Sequence, residues 1–172
     1  MKTESAVKRW QARTLTVSGL LGAFSIVLGI TPLGFIPVPT AAGHATIMHV
    51  PAILGAVLEG PMVGTLTGLI FGLHSFLRAG NVMFADPLIA IGPRLLIGVV
   101  TYGVYRLTRS EALAAAFGTF TNTAGVMGLA VLRGYIPAPV AWGIVISHGI
   151  PEVIIAVAIT VVAYRALRKV RR

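Results

Sequence analysis

Long apolar runs, separated by short polar or Gly/Pro-rich joins, dominate the chain. A helix needs roughly 20 mostly apolar residues to cross a bilayer, and fewer where its neighbours shelter it. We therefore predict an all-α integral membrane protein, a single domain over residues 1–172 built as a six-transmembrane-helix bundle. The predicted spans cover residues 15–30, 45–58, 62–76, 87–105, 112–132 and 140–167, the last interrupted by Pro151.

The joins contain the residues that end helices. Residues 31–43 carry Pro32, Pro37 and Pro39 among glycines and alanines, so we predict an ordered loop there rather than a helix. Pro61 follows a tight Glu-Gly turn and suits the first position of the next helix. The first apolar run could also belong to a signal peptide, but its length favours a helix that is retained.

Composition and charge agree with a membrane protein. The chain is 56% hydrophobic and only 11% charged, whereas soluble domains approach a quarter charged residues. Cysteine is absent, which excludes disulfides and thiolate metal sites. The net charge of +9 could suggest nucleic acid, but the basic residues lie mainly at the chain ends and in one short loop. That distribution is typical of membrane topology, and we expect no nucleic-acid partner.

The basic residues also predict the orientation. With the N-terminus inside and six spans, every Lys and Arg except Arg78, Arg94 and Arg133 falls on the inner side. An odd number of spans would place one basic terminus outside. Since Lys and Arg concentrate on the cytoplasmic side, we predict that both termini are cytoplasmic.

Two spans carry small residues at helical spacing. Gly60, Gly64, Gly68 and Gly72 form a line down one face of the third span, which favours close packing within the chain over docking of another subunit. The first span has a weaker version of the pattern, and its residues alone leave internal packing and docking equally open. Those positions are Ser18, Gly19, Gly22 and Ala23.

Polar groups at membrane depth are the candidate functional residues, because they are costly there and usually face an interior cavity. On the predicted topology they all lie in the outer half or near the midplane: His74, Arg94, Asn122, His148 and Glu152 in the spans, with His44 and His49 at the start of span two. A conduction path would need polar groups on both sides of the midplane. The pattern therefore favours a pocket open to the outside.

Each of these residues also has a simpler explanation. Arg94 and Glu152 could pair only to neutralise each other, the histidines could be structural donors, and Asn122 could link two helices. His148 and Glu152, one helical turn apart, with His74 as a third ligand, could instead hold the metal of a membrane enzyme. The His-Glu-x-x-His pattern of a zinc hydrolase is missing, and we expect no metal and no other cofactor.

Five segments have distinctive Gly-, Pro- and His-containing patterns: VLGITPLGFIPVP (27–39), HATIMHVPAILG (44–55), EGPMVG (59–64), GLIFGL (68–73) and DPLIAIGPRLLIG (86–98). Taken together, they resemble the substrate-binding S components of energy-coupling factor (ECF) transporters. The likeness extends over essentially the whole chain.

The resemblance implies a multi-pass protein of a prokaryotic plasma membrane that captures a vitamin or related micronutrient from outside. It implies that the loop 31–43 is a lid over the site, with Pro37, Pro39 and His44, and that the small residues of the first span contact a membrane coupling subunit. Two cytoplasmic ABC ATPases complete such importers. This chain lacks a G-x-x-x-x-G-K-[ST] phosphate loop, so ATP use falls to partners and we do not expect an enzyme.

On this basis we predict the substrate-capture component of an ABC-type vitamin importer. The expected substrate-binding residues are Arg94, His148, Glu152, Asn122, His74 and His49. Arg94 favours a ligand with a carboxylate or phosphate, such as folate or pantothenate, over riboflavin. The alternatives are the metalloenzyme and an uncoupled small-solute facilitator.

Overall fold

The computed structural model describes residues 2–38, 44–78 and 80–170. Its helices are α1 (Lys2–Ile30), α2 (Val50–Glu59), α3 (Pro61–Leu77), α4 (Pro87–Thr108), α5 (Glu111–Leu132), α6 (Ala138–Ser147) and α7 (Gly149–Val170). Four stretches in the described residues are long and apolar enough to cross a membrane: Trp10–Ile30, Pro87–Thr108, Glu111–Leu132 and Ala138–Lys169. Helices α2 and α3 are apolar but shorter. The all-α membrane architecture is thus confirmed, with six spans when α6 and α7 count as one.

Proline and polar caps define where the helices begin. Prolines occupy the first turns of α2, α3 and α4, where a missing N–H costs nothing. The Asp86 carboxylate caps α4 by accepting from the Leu88 amide at 2.9 Å, and Ser110 caps α5 through the Leu113 amide at 3.2 Å.

The last predicted span is broken three residues before the proline that signalled the interruption. Helix α6 ends at Ser147 and α7 begins at Gly149. The Pro151 ring would collide with the Ser147 carbonyl in a continuous helix, and Pro151 has no N–H to bond it. The break therefore leaves His148 at the junction of two helices.

The join after α1 is more regular than a loop. A short 3-10 turn, Pro32–Gly34, leads into β1 (Phe35–Pro37), which pairs antiparallel with β2 (His44–Thr46). Because β2 takes up the residues where the second span was predicted to begin, α2 starts only at Val50. Residues 39–43, including Pro39 of the predicted lid, lie outside the described residues. We call the side of the bundle that carries this hairpin, with the last turn of α3 and the first turn of α4, the hairpin end.

Three glycines of the predicted line, Gly64, Gly68 and Gly72, pack against α4 within the chain, whereas Gly60 precedes α3 and has open space where a side chain would project. A side chain at Gly68 would meet the backbone carbonyl of Arg94, and one at Gly72 would meet the Ala90 carbonyl at 3.0 Å. A side chain at Gly64 would likewise meet the Cα atom of Gly98 at 2.9 Å. The two backbones thus approach more closely than any larger side chain would permit, which fixes the position of α4 beside α3.

Candidate functional site

A cavity of about 750 Å³ opens among the helices at the hairpin end. It is bounded by the end of α1, the hairpin, α3, α4, α5 and the junction of α6 with α7. Five of the predicted binding residues line it: His74, Arg94, Asn122, His148 and Glu152. The fold therefore brings together, from four helices and a helix junction, side chains that are up to 78 positions apart in the chain.

Arg94 is a buried cation on the α4 wall, only 4% exposed. Its guanidinium carbon lies 5.2 Å from the ring centre of Phe71 and 5.0 Å from that of Phe84, so two aromatic rings cradle the charge. Nη1 donates to the Ile89 carbonyl at 2.8 Å. Nε is buried and has no partner among the described residues.

The residue before Arg94 explains this local geometry. Pro93 lies inside α4 and has no N–H, so the carbonyl of Ile89, four residues earlier, loses its usual helical donor. Arg94 supplies that donor from its side chain, because buried carbonyls require a hydrogen bond. The Pro93–Arg94 pair therefore anchors the guanidinium to its own helix. Sequence analysis missed Pro93, although a proline directly before a buried arginine is a visible signal.

Glu152 is the buried anion of the site, 2% exposed, on the first turn of α7. Its Oε1 accepts from the Thr46 hydroxyl and its Oε2 from the Thr123 hydroxyl, both at 2.5 Å. Thr46 belongs to β2, so the carboxylate ties the hairpin to α5 and α7. Neither threonine was among the predicted site residues, because only the fold brings them to Glu152.

Arg94 and Glu152 do not form a direct ion pair. No carboxylate oxygen of the described residues lies within 4.0 Å of the Arg94 guanidinium. The ionisable side chain beside Glu152 is instead His148, whose Nε2 lies 4.0 Å from Oε1. The geometry does not favour the explanation that the two charges serve only to neutralise each other. Both residues line the cavity.

Further polar atoms at the cavity are buried without partners in the described part of the chain: Asn122 Oδ1, His74 Nδ1 and His148 Nδ1. Buried polar atoms in native proteins are normally hydrogen-bonded. Acceptors and ring nitrogens left open around one cavity are what a polar ligand would satisfy.

The remaining predicted substrate-binding and lid residues are not among the residues described as lining the cavity. His49 does not line the cavity; it is fully buried, and its Nε2 lies 2.9 Å from the Thr119 hydroxyl. Pro37 is exposed in β1, opposite His44 in the hairpin register. The side chain of His44 lies outside the described residues.

The four small residues of α1 predicted to contact a coupling subunit divide between two faces. Ser18 is buried, and a side chain at Gly22 would collide with Ile70 of α3, so these two belong to internal packing. Gly19 and Ala23 face outward, and nothing lies within 4 Å of where a Gly19 side chain would project. Docking stays a prediction for the outward pair.

The metal hypothesis finds no support in the geometry. In the parts of the chain that the structure describes, no group of three or more His, Asp or Glu side chains gathers closely enough to hold a metal ion. His74 on α3 does not join His148 and Glu152 in such a group.

Comparison with known proteins agrees with this geometry. The family model described as "ECF transporter, substrate-specific component" matches residues 13–164. The chain is also 29% identical over 195 residues to the pantothenic acid transporter PanT of Lactococcus lactis subsp. cremoris (strain MG1363), with 96% of this chain and 98% of that protein covered. The predicted role in substrate capture is confirmed, and neither alternative is favoured. The chain belongs to the substrate-specific components of ECF transporters.

Proposed function

We propose that this chain captures pantothenate, or a closely similar carboxylate vitamin, in the cavity at the hairpin end. The observation that carries the proposal is Arg94, a buried cation at the cavity wall that lacks a carboxylate partner among the described residues. A buried charge without a partner is costly, and a ligand carboxylate would supply that partner in the bidentate geometry that arginine favours.

The rest of the ligand also has complementary groups. Besides its carboxylate, pantothenate has one amide, two hydroxyls and a branched apolar segment. Asn122, His74 and His148 offer open polar atoms for the amide and hydroxyls, and Phe71 with Val126 offers apolar surface. The likeness to a protein named as a pantothenic acid transporter supports pantothenate over folate or riboflavin.

The hairpin end is proposed to face the outside of a prokaryotic plasma membrane. The basic residues that the structure describes in the first half of α1, the α4–α5 turn and the last turns of α7 belong to the opposite helix ends, which the positive-inside rule assigns to the cytoplasm: Arg13, Arg106, Arg109, Arg165, Arg168 and Lys169. In that orientation the hairpin and residues 31–43 would lie over the cavity as a lid. Glu152 would hold this lid by its bond to Thr46.

Energy is proposed to come from partners, a membrane coupling subunit and two cytoplasmic ATPases. The outward face of α1 is the proposed docking surface, since small residues at Gly19 and Ala23 let another helix approach closely. Large apolar side chains flank them, among them Leu20 at 71% exposed.

Calorimetric titration of the purified protein with pantothenate and with panthenol tests the ligand proposal. Panthenol is the same molecule with the carboxylate replaced by an alcohol. We expect pantothenate to bind and panthenol to bind more weakly by roughly 30- to 1,000-fold, the equivalent of about 2–4 kcal/mol for a buried charge pair. Arg94→Gln is expected to remove most of that difference, because the discrimination resides in the guanidinium. Arg165→Ala, on an exposed arginine of α7, is the matched control and should keep it.

Two outcomes would contradict the proposal. If the wild-type protein binds pantothenate and panthenol equally, Arg94 does not recognise the carboxylate. If it binds neither, while another vitamin co-purifies with it, the substrate is wrong.

A further inference from the structure

We propose that a groove between α1 and α3 at the hairpin end binds an anionic phospholipid, with the lipid phosphate at Arg78 and one acyl chain along the groove. This inference goes beyond the proposed function and does not depend on which vitamin the cavity takes.

The acidic residues of the chain leave Arg78 without a partner. No carboxylate of the described residues pairs with it, and the chain contains only five Asp and Glu residues. Glu152 is buried and accepts from two threonine hydroxyls. Glu4 belongs to the start of α1, 26 positions or roughly 39 Å before Ile30 at the hairpin end. The other three pair with other arginines: Glu59 with Arg13, Asp86 with Arg133, and Glu111 with Arg165. A counter-ion for Arg78 therefore comes from outside the chain.

The position of Arg78 in the membrane indicates what that counter-ion is. Arg78 directly follows α3, a helix of 17 residues and thus roughly 25 Å, whereas the hydrocarbon core of a bilayer is about 30 Å thick. A cation at the end of so short a helix lies near the boundary between lipid tails and headgroups. The abundant anion at that level is phosphate, which a guanidinium binds bidentately.

The groove beside Arg78 fits the other part of a phospholipid. It has a volume of about 440 Å³ and extends over two turns of α3, from Ile70 to Arg78. Leu77, next to the arginine, is 81% exposed. An apolar groove with an arginine at one end matches an acyl chain with its phosphate. The aliphatic side chains that line it are Ile26, Ile30, Ile70, Leu73 and Leu77.

The vitamin is the other anion that Arg78 could bind, because Arg78 lines the cavity as well as the groove. However, the cavity already contains Arg94, which is 4% exposed and has no carboxylate partner among the described residues, whereas Arg78 is exposed. A zwitterionic lipid carries its own cation beside the phosphate. An anionic lipid leaves a net negative charge for Arg78, so the charge balance favours the anionic class.

Native mass spectrometry of the purified full chain, titrated with dioleoyl phosphatidylglycerol or dioleoyl phosphatidylcholine, tests the headgroup. The two lipids have the same acyl chains and differ in net charge. We expect the first phosphatidylglycerol to bind about fivefold more tightly, the preference that one arginine near a membrane surface supplies. Arg78→Gln should abolish this preference, and Arg78→Lys should keep most of it. Arg133→Gln removes the same charge at the same end, but from a guanidinium that Asp86 engages, and should keep the preference.

A second pair of variants tests the groove. Leu73→Trp would fill it and should weaken the binding of both lipids by roughly 4- to 15-fold, the equivalent of one or two methylene groups displaced from the groove. Leu96→Trp, at an exposed position on α4 outside the groove, is the matched control and should change neither affinity.

The titrations contain no vitamin, so their result is independent of the proposed function. Equal binding of the two lipids by the wild-type protein overturns the proposal. Equal loss of preference in Arg78→Gln and Arg133→Gln would show an effect of net charge and also overturns it. If Arg78→Gln keeps the lipid preference but loses the discrimination between pantothenate and panthenol, Arg78 serves the vitamin and the lipid assignment is wrong.

Discussion

The contact between Gly68 and the backbone of Arg94 gives the sharpest test of how packing builds the site. In Gly68→Ala the new methyl group would overlap the Arg94 carbonyl oxygen. A backbone atom cannot rotate away as a side-chain end can, so α3 and α4 must separate. Because Arg94 belongs to the part of α4 that would move, we expect weaker ligand binding as well as lower stability.

The magnitude follows from two opposing terms. Overpacking of a tight contact costs typically about 1–3 kcal/mol, and a contact to backbone belongs at the upper end. Alanine regains about 1 kcal/mol of helix propensity over glycine. The net loss is about 1–2 kcal/mol, which lowers Tm by roughly 2–8 °C for a chain of this length. Gly103→Ala in α4, where nothing lies within 4 Å, gains the propensity without the clash and should raise Tm slightly.

Thermal unfolding in one detergent, followed by tryptophan fluorescence, compares the two alanine variants with the wild-type protein. Calorimetric titration with pantothenate gives the second readout. If Gly68→Ala is as stable as Gly103→Ala, or binds as the wild-type protein does, then the close approach of α3 to α4 does not position Arg94.

Three further changes test other contacts. Thr46→Val removes the hydroxyl that binds Glu152, so the hairpin should be held less tightly and pantothenate should dissociate faster, by roughly 3- to 10-fold in stopped-flow measurements. The hydrogen bond from the Arg133 side chain keeps the pKa of Asp86 below its ordinary value. The ionised carboxylate therefore stabilises the folded state above the unfolded-state pKa of about 4, and this contribution to the free energy of unfolding is lost as pH falls through the lower folded-state pKa. The Tm advantage of the wild-type protein over Asp86→Asn should therefore shrink between pH 6 and pH 3. Gly19→Leu should reduce co-purification with the coupling subunit and leave Tm and pantothenate binding unchanged.

Each of these has a matched comparison. Thr121→Val removes a hydroxyl that bonds only its own helix, at the Phe117 carbonyl, and should not change dissociation. Asparagine at position 86 keeps the helix cap, so a constant Tm difference across the pH range would show that the carboxylate charge is irrelevant. Gly128→Leu on α5 also has open space, and equal loss of the partner in both leucine variants would argue against docking on α1.

Hydropathy and helix breakers predicted most of the fold. Apolar runs define α4 and α5, and Pro87 and Ser110 lie at their starts, where a missing N–H costs nothing and a polar side chain caps the free amides. The hairpin was not predicted, since strands of three residues leave no periodic pattern to detect. The position of the helix break at Ser147 follows from Pro151, but only once the collision four residues back is considered.

By itself the sequence determined that this protein lies in a membrane, roughly where its helices run, and which polar residues would be too costly to bury without a purpose. Those conclusions follow from the cost of polar groups in lipid, which is a property of each segment alone. Only the tertiary structure decided that Phe71 and Phe84 cradle Arg94, that Glu152 binds two threonines rather than Arg94, and that Ser18 and Gly22 face inward. Such contacts depend on how far each helix is rotated and how closely it approaches its neighbours, and those quantities are set by packing between segments distant in the chain.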